Sequence, residues 1–206
     1  MEETLRRIRL ALTLALRDQE DRVRAEAARA LERIEGAAAL ERLAVATHSS
    51  DTAAALRALY ALADIGGEGA MAILVKALKA PQPEVRAAAV KLLARTRDPK
   101  VLEPFIEALD DPSPDVTVLL LEALGEFRDP RLLNILLLQL QAASDPIREA
   151  VITVLGQLGD LQAVDSLLPL LVDDTPAIRQ RVAEALGRLG LRATEQGQLK
   201  GISPSA

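Results

Sequence analysis

The chain has no cysteine, no tryptophan and one histidine among its 206 residues. Without cysteine there are no disulfides, thiolate metal sites or cysteine nucleophiles, and a reducing, cytoplasmic setting is compatible. One histidine excludes a catalytic zinc site built on several imidazoles. That residue, His48, sits at a helix end beside Ser49 and Ser50. Adjacency there gives no triad geometry, so it reads as a capping or solvated side chain. Aromatics are almost absent: Tyr60, Phe105 and Phe127 are all there are. The apolar half of the composition is instead Ala, Leu, Val and Ile, which favours helices over strands and is too apolar for disorder.

Charge of one sign is also missing as a feature. The net charge is −5, and splitting at residues 48 and 114 gives thirds of 0, −1 and −4. No basic face of the kind nucleic acid demands follows from these totals. The longest uncharged run begins at Leu132, carries Asn and Gln breaks and ends at Asp145, short of the ~20 apolar residues of a membrane span. The opening MEETLRRIRLALTLALRD has Glu2 and Glu3 ahead of its arginines and no small-residue cleavage site, so no signal peptide is read. Gly66-Gly67-Glu68-Gly69 lacks the lysine and preceding strand of a phosphate loop and reads as a hairpin turn.

What is present is a 31-residue period. Leu31, Leu62, Leu93, Leu124, Leu155 and Leu186 occupy one phase. Val23-Arg24, Val85-Arg86, Ile147-Arg148 and Ile178-Arg179 occupy another, with Ala54-Ala55 and Val116-Thr117 at the two remaining positions. Turns are expected at Glu35-Gly36, Gly66-Gly67, Asp98-Pro99, Asp129-Pro130 and Gly159-Asp160, each followed by a second apolar set such as Val101, Leu102, Phe105, Ile106 and Leu109. Between units lie APQP, DDPSP, SDP and DDTP, where Asp or Ser ahead of Pro is helix-start chemistry. Asp110-Asp111 and Asp173-Asp174 are therefore read as caps rather than metal ligands. The recurring Arg24, Arg86, Arg148 and Arg179 are expected to pair with an Asp of a neighbouring turn as a buried ladder.

A helical hairpin of this length cannot bury its apolar face alone, but stacked copies can. The expected fold is all-α: a right-handed α-solenoid of about five to six hairpins over 19–190. An N-terminal capping helix (1–18) would turn Leu5, Ile8, Leu12 and Leu16 inward. A polar tail or short cap would occupy 191–206.

The pattern resembles the HEAT-like repeats of the phycobilisome-lyase type, whose consensus is close to VRxxAAxALGxLGDPxAVPxLIxAL. VRAAAVKLLARTRDPKVLEPFIEAL (85–109) and IREAVITVLGQLGDLQAVDSLLPLL (147–171) carry the likeness, which extends over roughly 20–190. The resemblance implies a non-enzymatic scaffold that binds a protein, with a phycobiliprotein or another HEAT-like subunit as the implied partner. It leaves two alternatives: a bilin lyase-type subunit handling an open-chain tetrapyrrole, and a self-associating scaffold or homodimer. The di-iron site of the deoxyhypusine hydroxylase relatives requires His-Glu pairs that one histidine does not supply.

LLNILLLQLQ (132–141) is apolar at seven of ten positions and uncharged. Aligned by phase, Leu132, Leu133, Leu136, Leu137 and Leu140 match the core set, whereas Asn134, Ile135 and Leu138 match Glu103, Pro104 and Glu107. The latter face is expected on the concave surface of the solenoid. The candidate partner site is an apolar strip of Ile73, Pro104, Ile135 and Leu138 rimmed by Arg42, Lys76, Glu103 and Glu107. The alternative is that Leu138 packs internally.

Overall fold

The structure, a computed structural model, describes residues 2–142 and 144–201. Side chains of residues 2, 142 and 195–201 fall outside that description. Every regular element among the described residues is helical. The α-helices are α1 (Glu2–Ala15), α2 (Asp21–Ala46), α3 (Thr52–Ile65), α4 (Gly67–Ala77), α5 (Pro83–Thr96), α6 (Leu102–Glu107), α7 (Pro114–Phe127), α8 (Leu132–Ala142), α9 (Asp145–Leu158), α10 (Val164–Leu167) and α11 (Pro176–Gly201). Two compact units contain them, Met1–Ile73 and Leu74–Ala206.

Helix starts follow the loop prolines. Pro83 and Pro114 stand in the first turns of α5 and α7, Pro146 in that of α9, and Pro176 begins α11. Proline costs nothing there, because the first amides have no partner within the helix. The hairpin turns repeat with the sequence period. Gly66, Arg97, Arg128 and Gly159, each 31 residues apart, all adopt positive φ, at 66°, 52°, 50° and 73°. After them Asp98, Asp129 and Asp160 accept from the backbone N–H two residues on, starting the second helix. Where a proline enters a second helix it loses regularity. Pro104 leaves α6 six residues long behind a 3-10 turn, and around Pro169 the chain is 3-10 from Leu168 to Val172.

The turn expected at Glu35-Gly36 does not form: α2 runs through it for 26 residues. The same occurs 155 residues later, where α11 runs through Gly190 for 26 residues. Both breaks lack the aspartate cap of the regular turns, having Gly36-Ala37 and Leu191-Arg192 at the corresponding positions. One glycine costs a helix about 1 kcal/mol, which is not enough to end it. The boundary expected at 190 thus falls inside a helix, and residues 202–206 of the expected tail lie outside the described residues.

In residues 74–206 the first helices α5, α7, α9 and α11 pack in sequence order, and the second helices cover one side. Leu93, Leu124 and Leu155 are fully buried, as are Phe105, Leu132 and Leu136. In residues 1–73 the burial is thinner. Leu31 is half-buried, as Leu186 is, where Leu62, Leu93, Leu124 and Leu155 are sealed, and Ala27 and Thr47 are the buried residues of the α2 region. Helix α1 packs on α2 but is not closed over: Leu12 is half-buried, while Leu5, Ile8 and Leu16, also expected inward, keep more than a third of their surface exposed.

The closest helix approach fixes one glycine. A Cβ on Gly156 of α9 would stand 2.9 Å from the Ala185 Cα of α11, a backbone atom that moves only with its helix. Gly156→Ala is expected to destabilise the protein by about 1–3 kcal/mol, because overpacking outweighs the gain in helix propensity. Urea denaturation with an unchanged m-value checks this.

Candidate functional site

Helix α8 carries the candidate residues Ile135 and Leu138. Leu132, Leu133, Leu136 and Leu140 are buried and Leu137 is half-buried. Asn134 is exposed, Ile135 is half-buried and Leu138 is 71% exposed. An uncharged helix thus spends five leucines on the core and shows water one more. One repeat earlier, α6 places Glu103 and Glu107 in solvent and Pro104 half-buried at those phases. Lys76, ahead of α5, is exposed. The cation that meets Glu107 is Lys79, at 3.6 Å, rather than Lys76. In residues 1–73 the remaining two predicted residues are Arg42, exposed, and Ile73, half-buried.

Arg42 also lines a cavity of about 1060 Å³ between α1 and α2, with Arg6, Arg9, Leu5, Ala38 and Val45. Val45 is 73% exposed and shares the phase of Leu138. The Arg9 Nε is buried there without a hydrogen-bond partner. Sequence reading named Arg42 and missed the α1 arginines, because only folding α1 back onto α2 brings them together.

The arginine phase behaves as a set of clamps rather than one ladder. Arg86, 7% exposed, donates from Nε and Nη2 to the two Asp111 oxygens at 2.7 Å each, and from Nη1 to the carbonyls of Ala80 and Pro81 at 2.9 and 3.0 Å. It ties the loop before its helix to the loop after its hairpin. Hydrogen bonding to Asp111 raises the Arg86 pKa above its ordinary value. Arg148 repeats the clamp on Asp173 and adds Asp145 at 3.0 Å. The outer two arginines depart from the expected ladder. Arg179 donates to the carbonyls of Asp173 and Asp174, and Arg24 to those of Asp18 and Gln19, pairing with the local carboxylate of Asp21. Each holds its preceding loop and has no aspartate 25 residues on, the positions being Ser49 and Pro204.

That spacing explains the two repeats without arginine. Ala55 is followed 25 residues later by Ala80, and both are buried. Thr117 is followed by Ala142. Its buried hydroxyl lies 3.3–3.4 Å from the carbonyls of Leu109, Asp111 and Ser113, partly replacing the guanidinium. In the four inner repeats Arg and Asp therefore come and go together, whereas the outer Arg24 and Arg179 stand without the aspartate. Asp111 and Asp173 also accept from the amides of Ser113 and Thr175, so one aspartate of each cluster braces the loop ahead of a helix and serves as clamp partner, while the α7 N-cap is Ser113 rather than an aspartate. His48 likewise closes its helix end, its Nδ1 3.1 Å from the Ala44 carbonyl.

The clamp has a pH consequence. Hydrogen bonding from Arg148, then from the Thr175 amide, holds the Asp173 carboxyl below its ordinary 3.8. A depressed folded pKa gives stability that is complete above the unfolded value and is lost as pH falls through the folded one. The melting temperature is expected to stay level from neutrality down to about pH 5 and to fall below about pH 4. In Asp173→Asn it should start lower and lose less over the acid range, read by thermal unfolding at each pH.

The profile of HEAT repeats matches residues 8–82, 71–149 and 133–197. A search of curated proteins gives no match. Among solved structures, YibA of Escherichia coli is similar over 92% of this chain and 70% of its own, at 20% identity and a TM-score of 0.56. A designed armadillo repeat protein is similar over 87% of this chain and 98% of its own, at 18% identity and a TM-score of 0.50. At such identities the likeness is one of fold.

Proposed function

The chain belongs to the HEAT-repeat family, and from that premise we propose that it is a protein-interaction scaffold whose second-helix face, in residues 74–206, receives a partner around Leu138. The observation that carries this is the exposure of Leu138 beside half-buried Ile135 on a helix with no charge to solvate it. An exposed apolar centre with a polar rim suits a partner that brings its own apolar anchor. Pro104 extends the apolar area one repeat back, and Lys76, Glu103 and Glu107 supply the rim. Arg42 and Ile73 hold the same phase in residues 1–73. The resemblance of 85–109 and 147–171 to the phycobilisome-lyase type supports a phycobiliprotein, or another HEAT-like subunit, as that partner.

The test compares wild type with Ile135→Glu, Leu138→Glu in quantitative affinity capture, using purified phycobiliprotein as one bait. Circular dichroism first confirms the helical content of the variant. At least about a tenfold loss of one partner, equal to about 1.4 kcal/mol, is expected. Equal capture by both proteins overturns the assignment of this face.

A second reading is favoured by the α1–α2 cavity. Three arginines outnumber Glu3 and Glu41 in a lining that also holds Leu5, Ala38 and Val45, and with Arg9 Nε unpartnered this suits an open-chain tetrapyrrole, whose propionates need cations and whose rings need apolar walls. Titration with biliverdin would then give a saturable absorbance shift, weakened in Arg9→Gln, Arg42→Gln. No shift at millimolar pigment removes this reading and leaves the scaffold intact.

A further inference from the structure

The first-helix face carries a groove that the second-helix contact does not use. It lies between α7 and α9 and encloses about 800 Å³. Val118 and Leu119 of α7 and Val154 of α9 form its apolar floor, and Asp115, Glu122 and Glu126 run along one wall. Positions 115, 118, 119, 122 and 126 follow helical spacing on one side of α7. Asp115 and Glu122 have no ionic partner among the described residues, and Glu126 reaches only Arg97, at 3.9 Å.

The same chain displays the complementary stripe. Opposite its α2-facing side, α1 exposes Leu10 and Leu14, each 64% exposed. Arg7 precedes them, and Arg17 follows just past the helix end; both are exposed and have no ionic partner among the described residues. Residues 7, 10, 14 and 17 fall within one narrow sector at 100° per residue. The order is cation, apolar, apolar, cation, over about 15 Å at 1.5 Å per residue. The α7 wall runs acid, apolar, apolar, acid, acid, over about 16 Å. Two stripes of matching length, opposite charge and shared apolar centre suit a helix laid in a groove.

We propose that the α7–α9 groove is a self-association site and that its occupant is α1 of a second copy. Arg7 and Arg17 face the α7 carboxylates, and Leu10 and Leu14 cover Val118 and Leu119. The contact joins two different surfaces, so each copy brings one donor helix and one acceptor groove, and assembly closes as a reciprocal pair or continues as a chain or ring.

The experiment uses the full chain in sedimentation equilibrium over a rising concentration series at low salt. Wild type is expected to rise from its 22.1 kDa monomer mass to about twice that value or beyond, and to fall back at high salt. Arg7→Glu, Arg17→Glu and, separately, Glu122→Lys, Glu126→Lys should each stay monomeric. Mixed one to one, these two should assemble again, because the native α1 of one fits the native groove of the other and the reversed α1 fits the reversed groove. All four substitutions together should restore assembly. Leu10→Ser, Leu14→Ser, which leaves every charge in place, should also stay monomeric. A wild type that remains monomeric, or charge variants that assemble as wild type does, overturns the proposal.

Discussion

Asp111→Ala is expected to cost about 3–5 kcal/mol, the largest loss from any single polar substitution in this chain. Its partner Arg86 is buried and loses the carboxylate that takes two of its donors. The Ser113 amide loses its acceptor as well. A guanidinium cannot discharge itself by losing a proton, so the uncompensated charge must move toward water or unfold the loop. The protein itself supplies the control. Arg86→Thr, Asp111→Ala copies the Thr117–Ala142 solution of the following repeat, where a hydroxyl stands 3.4 Å from the carbonyl corresponding to that of Ala80. This double variant is expected to lose less than the single one, under about 2 kcal/mol, despite removing more atoms. Urea denaturation of wild type, Asp111→Ala and the double variant decides it. A double variant less stable than the single would mean that the clamp contributes by its contacts, not by neutralising a buried charge.

That pairing was open to sequence reading, because aspartate follows arginine by 25 residues at Arg86 and Arg148 while alanine follows Ala55 and Thr117. The repeat itself was legible because one leucine per hairpin must be buried, and burial tolerates little variation in size. Cap chemistry was legible for the same kind of reason: proline and aspartate have few places to sit. The failed turn at Glu35-Gly36 shows the limit. One glycine permits a break but does not enforce one: Gly66 and Gly67 together, both at positive φ, end a helix without an aspartate, whereas the lone Gly36 does not. Surfaces assembled from different repeats were harder. Arg42 was singled out, but Arg6 and Arg9 join it only when α1 folds onto α2. The α7–α9 groove needs two helices 31 residues apart side by side, which no single repeat shows.

Helix α8 separates stability from recognition within three residues. Leu136 is fully buried and Leu138 is 71% exposed. Leu136→Ala removes buried methyl and methylene groups from a site walled by neighbouring helices, with an expected cost of about 2–5 kcal/mol. Leu138→Ala leaves no cavity and should change stability by no more than about 0.5 kcal/mol. Binding should invert the order. Leu138→Ala removes the anchor at the centre of the apolar strip, and a central anchor carries more affinity than its rim. Leu136→Ala should bind normally wherever it remains folded, because its side chain does not reach the surface. Denaturation midpoints and partner capture on the same two proteins test the separation. If Leu138→Ala unfolds as readily as Leu136→Ala, its side chain packs internally in solution and the second-helix face loses its claim. If it is stable and binds normally, the exposed leucine is incidental to binding and recognition lies elsewhere on the repeats.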